Sequence, residues 1–398
     1  MTTLLSEYIF GDICVQYSTD NESNLVGLQM IPNGMQGITK AKQQALDPLV
    51  QLMVRGDDFP NGFANGHTLR NSGSVNRFRY LEQTRQEDGE MTCIVTTLHT
   101  ADGQQITHKL TYDHGFGGVE VITTYQNNSA CPVTLDMLSS FCVGGITPFI
   151  SGDSPGCLVV HRLRSKWSNE ARLESITVED LQLEPSWSGY GVASERFGQT
   201  GSMPVRKFFP MVVVEDTQTH VLWGAQLGCP SSWQMELYRR DDALCISGGL
   251  ADDDFGHWHK TLQPGESITT PAATLAVCTG TLDDLCARLT AMQERPLAKL
   301  AMPARLPVVF NEFCTTWGNP SRENIARILS LLRGRDVDYF VIDSGWYADE
   351  AKGWEANMGD WEINKRLFPG GLEAVVEDIR SAGLKPGIWF EPEVCGQD

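Results

Sequence analysis

The 398-residue sequence predicts a multidomain protein in which a large all-β domain precedes a parallel α/β domain. Short strand-like runs separated by Gly, Asn, Asp and Pro continue as far as about Gly280. After that point the apolar pattern first takes the period of a helix and then, from Leu306, alternates between strand and helix. Hydrophobic residues make up 41% of the chain and charged residues 20%, which is the composition of a globular protein.

Residues 1–280 are predicted to form antiparallel sheets, arranged as a large β-sandwich or as paired sheets. The clearest runs lie at residues 93–98, 119–125, 208–214, 220–226 and 233–238. Gly115-Phe116-Gly117-Gly118 predicts a hairpin turn and not a phosphate cradle. Asp252-Asp253-Asp254, followed by His257 and His259, has the residue types of a metal cluster. An Asp run between strands is more often a solvated turn, and we favour the turn.

Residues 281–306 are predicted to be a helical linker. Its apolar residues fall on one helical face, and two prolines follow: Leu282, Leu285, Leu289 and Met292, then Pro296 and Pro303.

Residues 307–398 predict three parallel strands, at 307–311, 339–343 and 386–391. Ser321 is expected to cap the helix after the first strand, and Gly383 to end the helix before the third. Such βα units are typical of an α/β barrel or of an open parallel sheet. A full eightfold barrel takes about 250 residues, so we expect the chain to stop inside this domain. The unpaired edge of an unfinished parallel sheet would then favour association.

Polar residues follow each predicted strand of this second domain. They are Asn311 and Glu312, then Asp343, then Glu391 and Glu393, at the ends where barrel enzymes build their sites. A glycosidase needs two carboxyl groups. From the residue types alone, Asp343, Glu391 and Glu393 are therefore the candidate catalytic acids.

Tryptophans accompany these acids, which favours a sugar as the ligand. They are Trp317, Trp346, Trp354, Trp361 and Trp389. An aromatic face stacks on the C–H face of a sugar, while carboxylates accept hydrogen bonds from its hydroxyls. The alternative is that these rings only pack loops onto the end of the barrel.

The charge of the chain limits its partners. It has 31 Lys and Arg against 50 Asp and Glu, a formal net charge of −19. Such a surface repels nucleic acid and anionic membrane but is compatible with neutral sugars. Glu7 and Asp12 interrupt the place where a signal peptide would have its apolar core, so a cytoplasmic location is expected.

The eleven cysteines are scattered and form no CxxC pair, so we expect buried free thiols and no zinc site. No metal and no cofactor are expected. Gly201-Ser202-Met203 does not make a nucleophilic serine elbow.

Four motifs, in this order and spacing, resemble glycoside hydrolase family 36, the bacterial α-galactosidases. They are Asp343-Ser344-Gly345-Trp346; Gly359-Asp360-Trp361 with Asn364; Phe368-Pro369-Gly370-Gly371-Leu372; and Gly387-Ile388-Trp389-Phe390-Glu391-Pro392-Glu393. The first half is similar to the N-terminal β-domain of that family at residues 161–168, 196–199, 249–252 and 255–258. The resemblance covers nearly the whole chain.

The resemblance implies a β-supersandwich followed by a (β/α)8 TIM-type barrel, of which about three βα units are present. It implies a retaining mechanism with an aspartate nucleophile and an aspartate acid/base on later barrel strands, beyond Asp398. No catalytic residue is then expected within this chain, and the three acids above lose that role. The resemblance implies substrate-binding roles for Asp343, Ser344, Trp346 and Trp389, and supporting roles for Asp360, Trp361, Glu391 and Glu393.

Two further features follow from the resemblance. Ser344 stands where the family often has a second aspartate, which puts selectivity for the galactose hydroxyls in doubt. Family members commonly form tetramers in which an N-domain loop reaches a neighbouring site, so a homo-oligomer is expected. Phe59-Pro60-Asn61-Gly62-Phe63 is a candidate for that loop, and an ordinary surface turn explains it equally well.

The leading hypothesis is an α-galactosidase acting on raffinose- or melibiose-type sugars, catalytically incomplete in the chain as given. The first alternative is a non-catalytic carbohydrate-binding or assembly fragment. In a third hypothesis, a second polypeptide supplies the missing strands.

Overall fold

The structure is a computed structural model that describes residues 2–38, 46–58, 63–65, 70–152, 154–184, 191–240, 243–294, 305–348, 351–392, 394 and 396. It divides into two compact units, Met1–Leu297 and Ala298–Asp398. The division falls inside the predicted linker, whose own bounds stay a prediction. The candidate loop at residues 59–63 lies outside the described residues except for Phe63.

The first unit is built from strands. The first ten are β1 (Thr2–Phe10), β2 (Ile13–Asp20), β3 (Val26–Pro32), β4 (Leu52–Val54), β5 (Phe63–Asn65), β6 (Arg79–Asp88), β7 (Met91–His99), β8 (Gln104–Asp113), β9 (Val119–Asn127) and β10 (Val133–Ile146). The others are β11 (Leu158–Arg164), β12 (Arg172–Thr177), β13 (Gly191–Gln199), β14 (Met211–Asp216), β15 (Val221–Leu227), β16 (Trp233–Arg240), β17 (Ala243–Leu250), β18 (Lys260–Leu262), β19 (Ser267–Thr269) and β20 (Ala273–Thr279).

Within the described ranges these strands form three sheets. The first is β1-β2-β3; the second runs β18-β10-β17-β16-β13-β5, with β4 also paired to β10; the third runs β12-β11-β14-β15-β20-β9-β8-β7-β6, with β19 also paired to β9. The pairings are antiparallel except for β5 with β13, which is parallel. The predicted strand-rich fold is confirmed, and its supersandwich architecture stays a prediction.

Alternation of side chains explains why these runs become strands. In β9 every second residue is buried, from Val119 through Val121 to Tyr125, while Glu120 between them is exposed. Because successive side chains point to opposite faces, such a strand covers a core with one face only. The Gly115–Gly118 run is the turn between β8 and β9, as predicted.

One predicted strand begins later than its pattern indicated. The run at residues 208–214 becomes β14 only from Met211, because Pro210 has no N–H for a ladder.

The helix after β20 belongs to the first unit and packs on one of its sheets. This helix, α1 (Leu282–Ala291), buries Leu285 and Leu289 in a cluster with Leu222 of β15 and Ala276 of β20. Thr281 begins the helix with a capping box to Asp284. The predicted apolar helical face is confirmed, and it covers part of a sheet.

The Asp252–Asp254 run is only partly the solvated turn expected from the sequence. Asp252 is fully buried, and both Asp252 and Asp254 form ion pairs with the guanidinium of Arg196. Asp253 and His257 are exposed, as a turn requires. No group of three or more metal-ligating side chains occurs within the described part of the chain.

The second unit contains the three predicted parallel strands, each shorter than its sequence pattern. They are β21 (Val309–Asn311), β22 (Tyr339–Ile342) and β23 (Lys385–Ile388), in the order β21-β22-β23. The helices are α2 (Phe313–Thr316), α3 (Arg322–Leu332) and α4 (Gly371–Ser381). Among the described residues β21 and β23 each have one edge without a strand partner. Association through such an edge stays a prediction.

The predicted helix signals in this unit are confirmed. The Ser321 hydroxyl accepts a hydrogen bond from the Asn324 N–H at 3.2 Å and so begins α3. Gly383 follows α4 at a φ of +87°, which a glycine adopts without strain. The two helices bury Ile325 and Val375 in one core with Phe340 of the central strand.

Seven of the ten cysteines that the structure describes are buried, in agreement with the sequence expectation; Cys286 is half-buried, and Cys131 and Cys314 are exposed. Within the described residues, no helix has both the length and the apolar character that a membrane crossing requires.

Candidate active site

The candidate site lies at the carboxyl ends of β21, β22 and β23. Parallel strands bring these ends to one edge of the sheet, so Glu312, Asp343 and Trp389 follow neighbouring strands. The backbone N–H of Trp389 donates to the Ile342 carbonyl at 2.8 Å, which fixes Trp389 at this edge.

Asp343 is held in one orientation. Nδ2 of Asn311 donates to Oδ2 of Asp343 at 2.5 Å, and the Ser344 N–H donates to Oδ1 at 2.6 Å. The residue is only 8% exposed. Because each oxygen accepts one bond and has a second lone pair, the carboxylate can still accept from a ligand.

Glu312 holds the backbone of Asp343 in place and has no exposed surface. Its Oε1 accepts from the Asp343 N–H at 2.9 Å, and its Oε2 accepts from the Thr316 hydroxyl. Burial raises the pKa of Glu312, the two hydrogen bonds oppose that rise, and the Asp343 charge adds to it. The sequence placed Glu312 at a strand end but gave no sign of this supporting role.

The turn after β22 requires a glycine. Gly345 has a φ of +98°, and a Cβ there would lie 2.1 Å from the Gly318 carbonyl oxygen. Any larger residue would therefore displace the chain between Ser344 and Trp346.

The predicted tryptophans mostly pack together. Trp346 is buried, donates through Nε1 to the Trp389 carbonyl at 3.0 Å, and stacks on Trp361 with a centroid distance of 6.0 Å. Trp361 also meets Trp389 edge to face at 6.3 Å. Trp317 is 72% exposed and lies outside this cluster. The packing alternative raised by the sequence therefore describes Trp346 well, while the half-buried ring of Trp389 retains free surface.

Two buried hydroxyls beside Asp343 lack hydrogen-bond partners among the described residues: Ser344 Oγ and Tyr347 Oη. Burial, followed by the charges of Glu391 and Asp343, raises the pKa of Tyr347 to about 12, so its phenol stays protonated at neutral pH. Leaving such a group unpaired costs about 1–3 kcal/mol. Tyr347 was not singled out in the sequence, although it follows directly on the Asp343-Ser344-Gly345-Trp346 motif.

The remaining predicted residues differ in position. Glu391 is half-buried and close enough to Tyr347 to act on its pKa. Asp360 is exposed, and no hydrogen bond or ion pair of its side chain occurs in the described part of the chain. Glu393 lies outside the described residues.

Comparison with known proteins gives matches over both units. A family model described as Melibiase matches residues 267–398. The α-galactosidase AgaA of Geobacillus stearothermophilus is 29% identical over 150 residues, which are 37% of this chain and 20% of that protein. The α-galactosidase C of Emericella nidulans is 25% identical over 332 residues, 79% of this chain and 41% of that protein.

The fold matches a solved structure over almost the whole chain. The crystal structure of the GH36 α-galactosidase AgaA from Geobacillus stearothermophilus has a TM-score of 0.72 at 16% identity and covers 99% of this chain. Crystal structures of AgaA variants contain stachyose or raffinose. This chain spans 56% of the solved AgaA chain, and a smaller share of both curated relatives.

Proposed function

We propose, from the relationship of this chain to the α-galactosidases of glycoside hydrolase family 36, that the edge beside Asp343 binds the terminal galactose of an α-galactoside. The two curated relatives described above are named α-galactosidases, and AgaA variants were crystallised with raffinose and stachyose. Oligosaccharides of the raffinose and melibiose type are the proposed substrates.

The observation that carries this proposal is a fixed carboxylate next to two unpaired hydroxyls. Asp343 offers acceptor oxygens, and the buried hydroxyls of Ser344 and Tyr347 have no partner among the described residues. A sugar hydroxyl is both a donor and an acceptor, so it can satisfy such groups together. Pairing buried polar groups that are otherwise unsatisfied is also how sites discriminate between hydroxyl-bearing ligands.

The aromatic cluster is proposed to form the apolar wall of this site. Trp389 would present its free surface to the C–H face of the sugar, and Trp346 would hold Trp389 in place through the 3.0 Å hydrogen bond to its carbonyl. Trp361 supports both rings, and burial, followed by the Glu391 charge, raises the pKa of the Tyr347 hydroxyl.

Hydrolysis by double displacement would need two carboxyl groups about 5–5.5 Å apart on either side of the glycosidic bond. Both Glu312 oxygens are engaged in hydrogen bonds and the residue is fully buried, so it is unsuited to attack a substrate. Asp343 is oriented as a hydrogen-bond acceptor. Because the resemblance places the family's nucleophile and acid/base on later barrel strands, we propose that residues 1–398 bind galactose without hydrolysing it.

Hydrolysis of a chromogenic α-galactoside by the 398-residue chain, with its length confirmed by intact mass, tests this division of roles. The expected result is no turnover alongside measurable galactose binding. Turnover that is lost in Asp343→Asn would show that acids present here do the chemistry. Absence of both turnover and binding would overturn the proposed site.

A further inference from the structure

A cleft of about 820 Å³ on the first unit is lined, among the described residues, by five cationic side chains. They are Arg164, Lys166, Arg172, Arg206 and Lys207. The whole chain has a formal net charge of −19, so five positive charges around one cleft run against its overall composition. Clustered like charges repel one another, and that repulsion falls when an anion lies among them.

The strand register places two of these charges directly opposite each other. Arg164 of β11 pairs with Arg172 of the edge strand β12. Like charges at directly opposed positions destabilise a sheet. Arg164 forms an ion pair with Glu174 at 2.6 Å, and Glu174 also pairs with the buried Arg162. Among the described residues no carboxylate forms an ion pair with the other four cations.

Two of the cations in the cleft are held against an aromatic ring. The Arg164 guanidinium lies over the Phe208 ring at 5.0 Å, and Lys207 Nζ approaches the same ring at 5.7 Å. Phe208 is itself buried, so it fixes both side chains against one surface. Side chains that are already held lose less freedom when a ligand binds.

We propose that this cleft binds a small, hydroxyl-rich molecule carrying a phosphoryl group. The cations would contact the phosphoryl oxygens, and the lining side chains of Asn169, Gln199 and Thr200 would hydrogen-bond the hydroxyls. Its volume lies in the range of small-molecule sites, about 300–1,000 Å³. Nucleic acid is disfavoured by the net charge. The proposal is independent of the galactose site, which lies in the other unit.

Calorimetric titration of the 398-residue chain at low ionic strength with glucose 6-phosphate, inorganic phosphate and glucose tests the proposal. We expect glucose 6-phosphate to bind more tightly than inorganic phosphate, glucose not to bind here, and added salt to weaken binding. The double variant Arg172→Glu with Arg206→Glu should weaken the affinity at least about tenfold. A matched control, Lys109→Glu with Lys260→Glu, changes two exposed cations outside the cleft and should alter the affinity less than about twofold.

The variants also separate the remaining outcomes. Because Arg172 and Arg206 are exposed, the double variant should fold. If circular dichroism shows that it does not, Arg172→Gln with Arg206→Gln replaces it in the titration. Equal weakening by the cleft and control variants would overturn the proposal, since only overall charge would matter. So would the absence of any anion binding. The chain could instead self-associate at low salt. If the cleft variant abolishes that association and glucose 6-phosphate does not inhibit it, the cleft binds a second copy of this chain and the proposal is overturned.

Discussion

The backbone N–H of Asp343 donates a 2.9 Å hydrogen bond to Oε1 of Glu312, which joins the ends of two neighbouring parallel strands. The side chain of Asn311, from the same strand end as Glu312, holds the Asp343 carboxylate. Asp343 is therefore positioned in both its backbone and its side chain by residues about thirty positions earlier in the chain. Such support is what keeps a binding group within a narrow geometry.

Replacing Glu312 with alanine should disorder Asp343. The change leaves the buried Asp343 N–H without its acceptor, which costs about 1–3 kcal/mol of unfolding free energy. Galactose affinity should fall about tenfold with it. Glu312→Gln keeps an acceptor oxygen and should retain most of the binding. Urea denaturation with calorimetry checks both effects, and equal affinity for alanine and glutamine variants would contradict the supporting role.

Ser344→Ala should weaken galactose binding without weakening the fold. The Ser344 hydroxyl is buried and has no partner among the described residues, so its removal breaks no bond within the described part of the protein. The melting temperature should stay the same or rise. Galactose affinity should fall about three- to tenfold, the usual range for one neutral hydrogen bond. A loss of stability with unchanged affinity would mean that the hydroxyl does not face the sugar.

Trp346→Phe should destabilise the second unit. The variant removes the Nε1 donor to the Trp389 carbonyl and part of the stacking on Trp361. We expect a loss of about 1–3 kcal/mol. Trp317→Phe is the matched control, because Trp317 is 72% exposed and should change stability by less than about 0.5 kcal/mol. Thermal and urea unfolding of both variants measure the difference.

Acid should destabilise the first unit through His108. Burial between Thr96 and Thr123 lowers the pKa of this histidine from 6.5 to about 4. As the pH falls, the unfolded chain therefore takes up the proton before the folded chain does. The contribution of neutral His108 to the unfolding free energy is present in full above pH 6.5 and is lost as the pH falls to about 4. The loss is about 3 kcal/mol.

His108→Leu removes this titration. Between pH 7 and pH 4.5 the wild type should lose more unfolding free energy than the His108→Leu variant does. A constant difference across that range would show that His108 does not titrate on unfolding.

Cys142 and Cys245 share one buried cation. Arg70 Nη2 donates to their sulfurs at 3.2 and 2.9 Å, and the two sulfurs lie 3.4 Å apart. Burial acts to raise the pKa of Cys142, but the hydrogen bond with Cys245 and then the Arg70 charge act against it, and the pKa is lowered overall. Cys142→Ala should cost about 1–3 kcal/mol, while Cys131→Ala, at an exposed position, should be neutral. Denaturant unfolding of the two variants provides the comparison.

Local signals in the sequence were enough to predict several of the elements. Ser321 and Gly383 mark helix ends because a hydroxyl cap and a positive φ are local requirements. Asp343 was found because a polar residue after an apolar strand marks a sheet end. These features depend only on residues a few positions apart.

Features that depend on distant residues were not predictable in the same way. Glu312 becomes a support only because β21 lies beside β22, and the partner of Asp252 is Arg196, far away in sequence. Trp346 and Trp389 look alike in sequence, yet one is buried and the other retains free surface. The cytoplasmic location and the homo-oligomer stay predictions.

Calorimetric titration of galactose into the 398-residue chain and its Asp343→Asn variant tests the central claim most directly. Wild type should bind galactose in preference to glucose, and Asp343→Asn should bind at least about tenfold more weakly. The variant should have a lower melting temperature but stay folded during the titration, because its amide NH2 replaces one of the two oxygens that accept from Asn311 and Ser344. Asp336→Asn, which changes an exposed carboxylate away from the site, should bind as wild type does. No galactose binding by wild type, or equal binding by Asp343→Asn, would contradict a galactose site at Asp343.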